Sequence, residues 1–335
     1  MIGAIKRLFE RPEAIPILEK GCGSEDRLVR GLCYENALEI EKSEGDLFLR
    51  RALDEYDPAI RLMGIRALRA KMPDARYEEH LQKARSDRCP RVRQEAWRNY
   101  CEKYPKRWEA EIETALLDVN ITISEEAQYA AKAAGKVNLR EFYIKSAGQS
   151  EEDQLCAAIA GLGESGARAD ALLIERFLAD PHAKIRAAAL HAIAKLNASK
   201  YIGTFLAALN DGSRRVAREG VLALVKKVNL VGGEKLWGVF ERCRDARRKR
   251  GVLFLIARLS QWESLPYLIL GLGNPDESAA EASRRYRARL SARWNRSFVA
   301  PSREQAEKLR AVLSTHELLI GAAARRALEA YLKGI

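Results

Sequence analysis

The chain has 335 residues, 58 Lys+Arg against 46 Asp+Glu, a net charge of +12 and 47% hydrophobic residues. That length lies near the upper limit for one globular core, and no segment approaches the roughly 18 consecutive apolar residues of a membrane span. Six cysteines without a CxxC pair exclude the common zinc spacings and point to reduced thiols in a cytoplasm.

In chain order, residues 1–11 read as a capping helix. Lys6 and Arg7 follow too few apolar residues for a signal peptide. From about residue 12 to 333 one unit then recurs. Cys33, Gly64, Ala96, Ala127, Ala158, Ala189, Gly220, Gly251 and Ala282 are spaced by 31 or 32 residues, and a tenth copy centred on Ala324 follows after 42. So strict a period predicts one supersecondary unit stacked about ten times. Apolar residues four before (Val29, Ile60, Val92, Ile123, Ile185, Val216) and four after (Leu68, Tyr100, Leu162, Ile193, Leu224, Leu255) place each small residue mid-stripe on a buried helix. A small side chain there suits a close helix crossing.

Asp57-Pro58, Cys89-Pro90, Asp180-Pro181 and Asn274-Pro275 mark the starts of these helices, with Asp26, Asn120 and Asp211 as cap or turn residues. Upstream apolar stretches such as Leu47 to Leu53 and Ile202 to Leu209 predict a first helix in each unit, with Pro73, Pro105 and Pro266 at or just before first helices. No run alternates with period two, so no sheet is expected. The expected fold is an all-α solenoid of about ten helical hairpins over 1–335, one domain, with an insertion at about 291–301 where the period breaks.

Asp57-Pro58-Ala59-Ile60-Arg61-Leu62-type patterns, here Asp57 through Leu68 and again Asp180 through Leu190, resemble the HEAT repeat. The short period is similar to the compact HEAT-like variety of phycobilin lyase subunits. The resemblance implies a recognition scaffold. It also implies that the Arg three residues before the small residue (Arg30, Arg61, Arg93, Arg186, Arg248) ties neighbouring repeats together, and that second helices line a concave surface.

Charge is uneven. Residues 1–200 hold 33 Lys+Arg and 33 Asp+Glu; residues 201–335 hold 25 and 13, which is the entire excess. Such asymmetry suggests an acidic partner at that end. The candidate partner-binding residues are Arg218 and Lys226, the run Arg247, Arg248 and Lys249, and the cluster Arg284, Arg285, Arg287, Arg293 and Arg296 with Trp294 beside the insertion. Arg66, Arg98, His191 and Lys132 extend the basic columns toward the N-terminus.

Catalytic signals are weak. No HExxH or P-loop occurs, and the lone His316-Glu317 pair is one fragment of a motif that needs several. Gly161-Leu162-Gly163-Glu164-Ser165-Gly166 reads as a helix stop, and His182 and His191 as ordinary polar residues. Trp237, Trp262, Asp245 and Arg218 are a remote match to the residues of HEAT-like DNA glycosylases, without the local motif. The expectation is a non-catalytic scaffold with no cofactor and no metal, binding an acidic protein. Direct DNA or RNA binding through the same basic surface is the alternative.

Overall fold

The computed structural model describes residues 14–40, 43–71, 74–104, 108–135, 137–149, 151–293, 300–316 and 319–332. The expected capping helix at 1–11, Pro73, Pro105 and most of the expected insertion lie outside the described residues. Among the described residues every regular element is a helix and none is a strand. The helices are α1 (Ala14–Cys22), α2 (Arg27–Ala37), α3 (Ser43–Leu53), α4 (Pro58–Lys71), α5 (Asp74–Arg85), α6 (Pro90–Lys103), α7 (Trp108–Leu116) and α8 (Ile121–Ala134). They continue with α9 (Leu139–Gln149), α10 (Glu152–Ser165), α11 (Ala171–Ile174), α12 (Ala183–Asn197), α13 (Ile202–Ala208), α14 (Arg214–Val225), α15 (Val228–Val231), α16 (Gly233–Arg242), α17 (Ala246–Ile256), α18 (Gln261–Leu272), α19 (Glu277–Arg293), α20 (Arg303–Thr315) and α21 (Ala322–Leu332). Short 3₁₀ turns flank α11 and precede α13. The chain forms two compact units, 1–139 and 140–335. Each is a HEAT-like α-solenoid. Repeats 1–4 build the first unit, and repeats 5–10 the second.

Three second helices, α2, α8 and α17, start at a side-chain cap that the sequence supplies. Asp26 accepts from the Leu28 and Val29 amides, Asn120 from those of Thr122 and Ile123, and Asp245 from that of Arg248. Pro90 occupies the first turn of α6, where its missing N–H costs no helical bond. Pro266 departs from expectation. It lies inside α18, buried, rather than at its start, and gives no N–H to the carbonyl four residues back.

The small-residue column is the packing seam. Ala96, Ala158 and Ala189 are fully buried, and so are the flanking Ile60, Val92, Leu68, Leu162 and Ile193. Val29 is an exception at 42% exposure, because no described repeat precedes α2. A Cβ added at Gly64 would lie 3.3 Å from Ala52 Cβ, and one at Gly220 3.1 Å from Ala208 Cβ. Both partners sit twelve residues before the seam residue. The same offset sets Gly21 against Cys33 and Gly271 against Ser283. These four hairpins therefore cross on a second small residue in the first helix, which the sequence reading missed; repeats 6 and 8 carry Phe177 and Phe240 at that place.

That offset corrects the register of repeats 8 and 9. Cap residues preceding the second helices are Asp26, Cys89, Asn120, Glu151, His182, Ser213 and Asp245. The seam residue stands seven after each cap, so in repeat 8 it is Val252, not Gly251. In repeat 9 it is Ser283, not Ala282, since Ser283 is the residue that faces Gly271. Both Val252 and Ser283 are buried. The interval from Ser213 to Asp245 is one residue longer than the 31 before it, and this shifts everything beyond. The last hairpin is different again. Ala324 is only half-buried, and α21 instead buries Leu328 and Leu332 in a cluster with Trp262, Ile269, Leu309 and Leu313.

Ser283 Oγ is buried with no hydrogen-bond partner. A buried hydroxyl left unpaired costs about 1 kcal/mol or more. Ser283→Ala is therefore expected to raise the thermal midpoint, whereas Gly271→Ala, whose Cβ would overlap the Ser283 hydroxyl, is expected to lower it. Equal shifts of one sign would contradict the assigned register.

The Arg three before the seam does join repeats, and it does so through a carboxylate. Arg61 Nε and Nη2 donate to Asp87 at 2.7 and 2.8 Å, Arg93 to Asp118 at 2.7 and 2.8 Å, and Arg186 to Asp211 at 3.1 and 2.9 Å. Each acid belongs to the turn of the next repeat. In each case Arg Nη1 also donates to two carbonyls of its own turn. Arg30 reaches the Tyr56 hydroxyl instead. In repeat 8 the corrected register puts Lys249 in this place, and it donates to Asn274 Oδ1 at 3.2 Å. Arg248, assigned to the ladder by sequence, turns back to the carbonyls of Asn210 and Gly212.

Candidate interaction surface

On the second helices of unit 2, the residues two before, two after and six after the seam form one stripe along the helix. Equivalent positions on successive helices are neighbours. Lys195 of α12 pairs with Glu164 of α10, Lys184 with Asp153 at 3.1 Å, and His191 with Glu219 of α14 at 3.3 Å. The hydrogen bond to Glu219 raises the His191 pKa, against the opposing effect of burial. On repeats 5 and 6 the basic side chains of this face are thus neutralised by their neighbours. In unit 1 the same is true of Arg66, 3.6 Å from Glu95, and of Arg98, 3.5 Å from Glu126.

Repeats 7 to 9 differ. The stripe reads Arg218, Leu222, Lys226 on α14; Arg250, Phe254, Arg258 on α17; and Glu281, Arg285, Arg289 on α19. Arg218, Lys226, Arg250, Arg258, Arg285 and Arg289 are all exposed. None of these six forms an ion pair with a described residue. Leu222 is 50% exposed between its two cations. Phe254 is half-buried, with the Arg258 guanidinium 4.6 Å over its ring and the Tyr286 ring 6.5 Å away. Arg285 and Arg289 lie 5.2 and 6.0 Å from the Tyr286 ring. Stacking on aromatic rings holds guanidinium groups without neutralising them.

Local chemistry places these helices. Asp245 caps α17, and the Arg248 amide, first among several donors, keeps its carboxyl below the usual range. Asp276 receives the Ala279 amide at 3.0 Å, with the same effect. Gly251 lets α17 approach α14; a Cβ there would meet Val221 Cγ2 at 3.2 Å.

Of the residues expected from sequence, Arg218, Lys226 and Arg285 fall on this stripe. Arg247 is exposed in the first turn of α17, off the stripe. Arg248 and Lys249 are half-buried and bonded to backbone and to Asn274, as described above, so their part is structural. Arg284 is engaged by Glu277 and by Glu281 at 2.8 Å, and Arg287 is half-buried. Arg293 ends α19. Trp294 and Arg296 lie outside the described residues. Arg250 and Arg289 stand in the two basic clusters of the sequence but were not expected at the binding surface, and Arg258 was missed, because a one-residue slip in register turns a helix by about 100°. The cap spacing would have revealed them.

The remaining candidates are engaged elsewhere. Trp237 Nε1 donates to Glu241 at 2.8 Å and its ring stacks on Phe240 at 4.5 Å; Trp262 is buried beside Tyr331. His182 caps α12 with Nδ1 3.1 Å from Asp180, while Glu317 lies outside the described residues. Gly161 and Gly163 sit inside α10, buried against Tyr143 and Ala192, rather than at a helix stop; only Gly166 ends the helix. Burial pushes the Cys22 thiol up to about 12 and also raises Cys33, Cys101, Cys156 and Cys243. A raised pKa lowers the thiolate fraction at neutral pH.

No family model and no curated protein matches the chain. Among solved structures, Kap95p bound to RanGDP is 11% identical over 98% of this chain and 52% of its own, with a TM-score of 0.47. A Kap95:Nup1 complex is 10% identical over 98% and 53%, with a TM-score of 0.48. The CpcE–CpcF complex of phycocyanin lyase from Nostoc sp. PCC7120 is 17% identical over 82% and 94%, with a TM-score of 0.29. The chain spans about half the length of the Kap95 chains it resembles. The fold rests on the hairpins themselves rather than on these distant likenesses.

Proposed function

We propose that this chain is a non-catalytic recognition protein that binds an acidic protein through the second helices of repeats 7 to 9. The observation that carries this reading is the set of six exposed cations without ion pairs, on a face whose other repeats pair theirs. Unpaired charges steer an oppositely charged partner and can be neutralised by it. A reducing cytoplasm accords with six free cysteines.

A nucleic acid would also meet these charges. One feature favours protein. Leu222 places an apolar side chain, not a stacking ring, in the middle of the cations.

The test is fluorescence anisotropy of the full chain with labelled poly-glutamate and with a single-stranded oligonucleotide of equal charge, across a salt series. Poly-glutamate is expected to bind. Exchanging Arg218, Arg250, Arg258 and Arg289 together for Gln is expected to weaken it about tenfold or more. The same number of exchanges among paired residues, at Arg66, Arg98, Lys184 and Lys195, is expected to change it little. Tighter binding of the oligonucleotide, with a steep salt slope, would replace this reading with the nucleic-acid one.

A further inference from the structure

We infer that the partner segment is an acidic amphipathic helix lying across α14, α17 and α19, its apolar edge on Leu222 and Phe254. This rests on the reading of the face as a binding surface and goes further by specifying the partner's shape. Leu222 and Phe254 are the mid-stripe residues of adjacent second helices. One row of cations, Arg218 and Arg250, lies four residues before them. A second row, Lys226, Arg258 and Arg289, lies four residues after.

Dimensions select the occupant. Four residues along a helix are about 6 Å, so the two rows stand about 12 Å apart, close to the 10–12 Å diameter of an α-helix with its side chains. Adjacent helices pack about 8–10 Å apart, which sets the spacing of the two apolar anchors. In a helix the i to i+7 distance is about 10.5 Å, so two residues of one apolar edge meet Leu222 and Phe254 together. Carboxylates on its two flanks then meet the two rows. An extended strand presents same-face side chains about 6.6–6.8 Å apart, out of step with the anchors. The first row ends at Glu281, which pairs with Arg284 at 2.8 Å. That single acidic corner gives the surface a direction and disfavours a carboxylate at one end of the bound helix.

Three labelled peptides of equal length and charge test this against the intact chain. The first is made of Glu and Leu with leucines at i, i+3, i+4 and i+7 on one face. The second contains the same residues with leucines scattered, and the third has Gln in place of Leu. The first is expected to bind about tenfold tighter than the other two, with a gain of helical ellipticity on binding. Leu222→Gln, at a half-exposed side chain that folding does not need, is expected to reduce the first peptide to the level of the second and leave the third unchanged. Equal binding of all three overturns the helix inference while leaving the acidic-partner reading in place. No binding by any of them overturns both. Tighter binding of the third than the first also overturns the inference, since an apolar edge would then hinder docking.

Discussion

Gly163→Ala is expected to lower the unfolding midpoint, while Gly31→Ala raises it. Both glycines lie inside second helices, α10 and α2. Alanine is favoured over glycine in a helix interior by about 1 kcal/mol, so both exchanges gain the same local term. They differ in what the new Cβ meets. At Gly31 nothing lies within 4 Å. At Gly163 the Cβ would fall 2.7 Å from Ala192 Cα and 2.8 Å from Ala192 Cβ. Backbone cannot step aside as the end of a flexible side chain does, so α10 and α12 must separate. Overpacking of this kind costs about 1–3 kcal/mol, enough to reverse the sign. Chemical denaturation followed by circular dichroism gives both values. Stabilisation by Gly163→Ala would mean that α10 and α12 do not cross as closely as described.

Much of this geometry was legible in the chain. Ala96, Ala158 and Ala189 are where the period placed the seam, because close helix crossings favour small side chains and most repeats meet that demand in the same way. The linking role of Arg61, Arg93 and Arg186 was implied by the HEAT-like resemblance. Their acids, Asp87, Asp118 and Asp211, also recur nine residues before a small residue, yet only Asp211 stands out in the sequence, as a cap or turn residue, and the hydrogen bonds are what pair all three with the previous repeat. The slip at repeat 8 has a physical origin too. Gly251 and Ala282 are themselves small, so a period of 31 continued without visible interruption. The true seam residues, Val252 and Ser283, are identified only by their distance from the cap and by what faces them.

The candidate surface suffered most from that slip. Arg218 and Lys226 precede it and lie exposed on the stripe, whereas Arg248 and Lys249 are held in the repeat junctions. Local density of arginine was therefore a poor guide. Arg284 lies in a dense run and is neutralised by its own helix, whereas Arg258 stands alone in sequence and pairs with no carboxylate among the described residues. Which cations remain available depends on acids in adjacent repeats, and that information is not local to any segment.

Asp87→Asn is expected to cost about 3 kcal/mol at neutral pH and to flatten the acid limb of the stability profile. The Asp87 and Arg61 side chains are 12% and 17% exposed, so their pair is largely buried. Burial by itself would raise the Asp87 pKa, but the Arg61 hydrogen bonds, the Cys89 amide at 2.7 Å and the charges of Arg61 and Arg93 outweigh it, and the carboxyl titrates below its ordinary value. Asp57 and Asp211 are shifted the same way. A carboxyl depressed in the folded state binds its proton more readily when unfolded, so stability is present above the unfolded value of about 3.9 and is lost as pH falls through the lower folded value. Protonation of Asp87 and Asp211 removes the charge of their junctions as pH falls below the ordinary carboxylate range. The asparagine variant keeps the shape and the acceptor for the Cys89 amide but has no charge to lose. Its deficit relative to the parent should therefore shrink below that range. Asp153→Asn is the comparison, since Asp153 pairs with Lys184 at the surface, where such pairs contribute about 0–1 kcal/mol. Urea titrations at a series of pH values measure both. A deficit for Asp87→Asn that stays constant with pH, or that equals the Asp153 effect, would show that the ladder holds its repeats by shape rather than by charge.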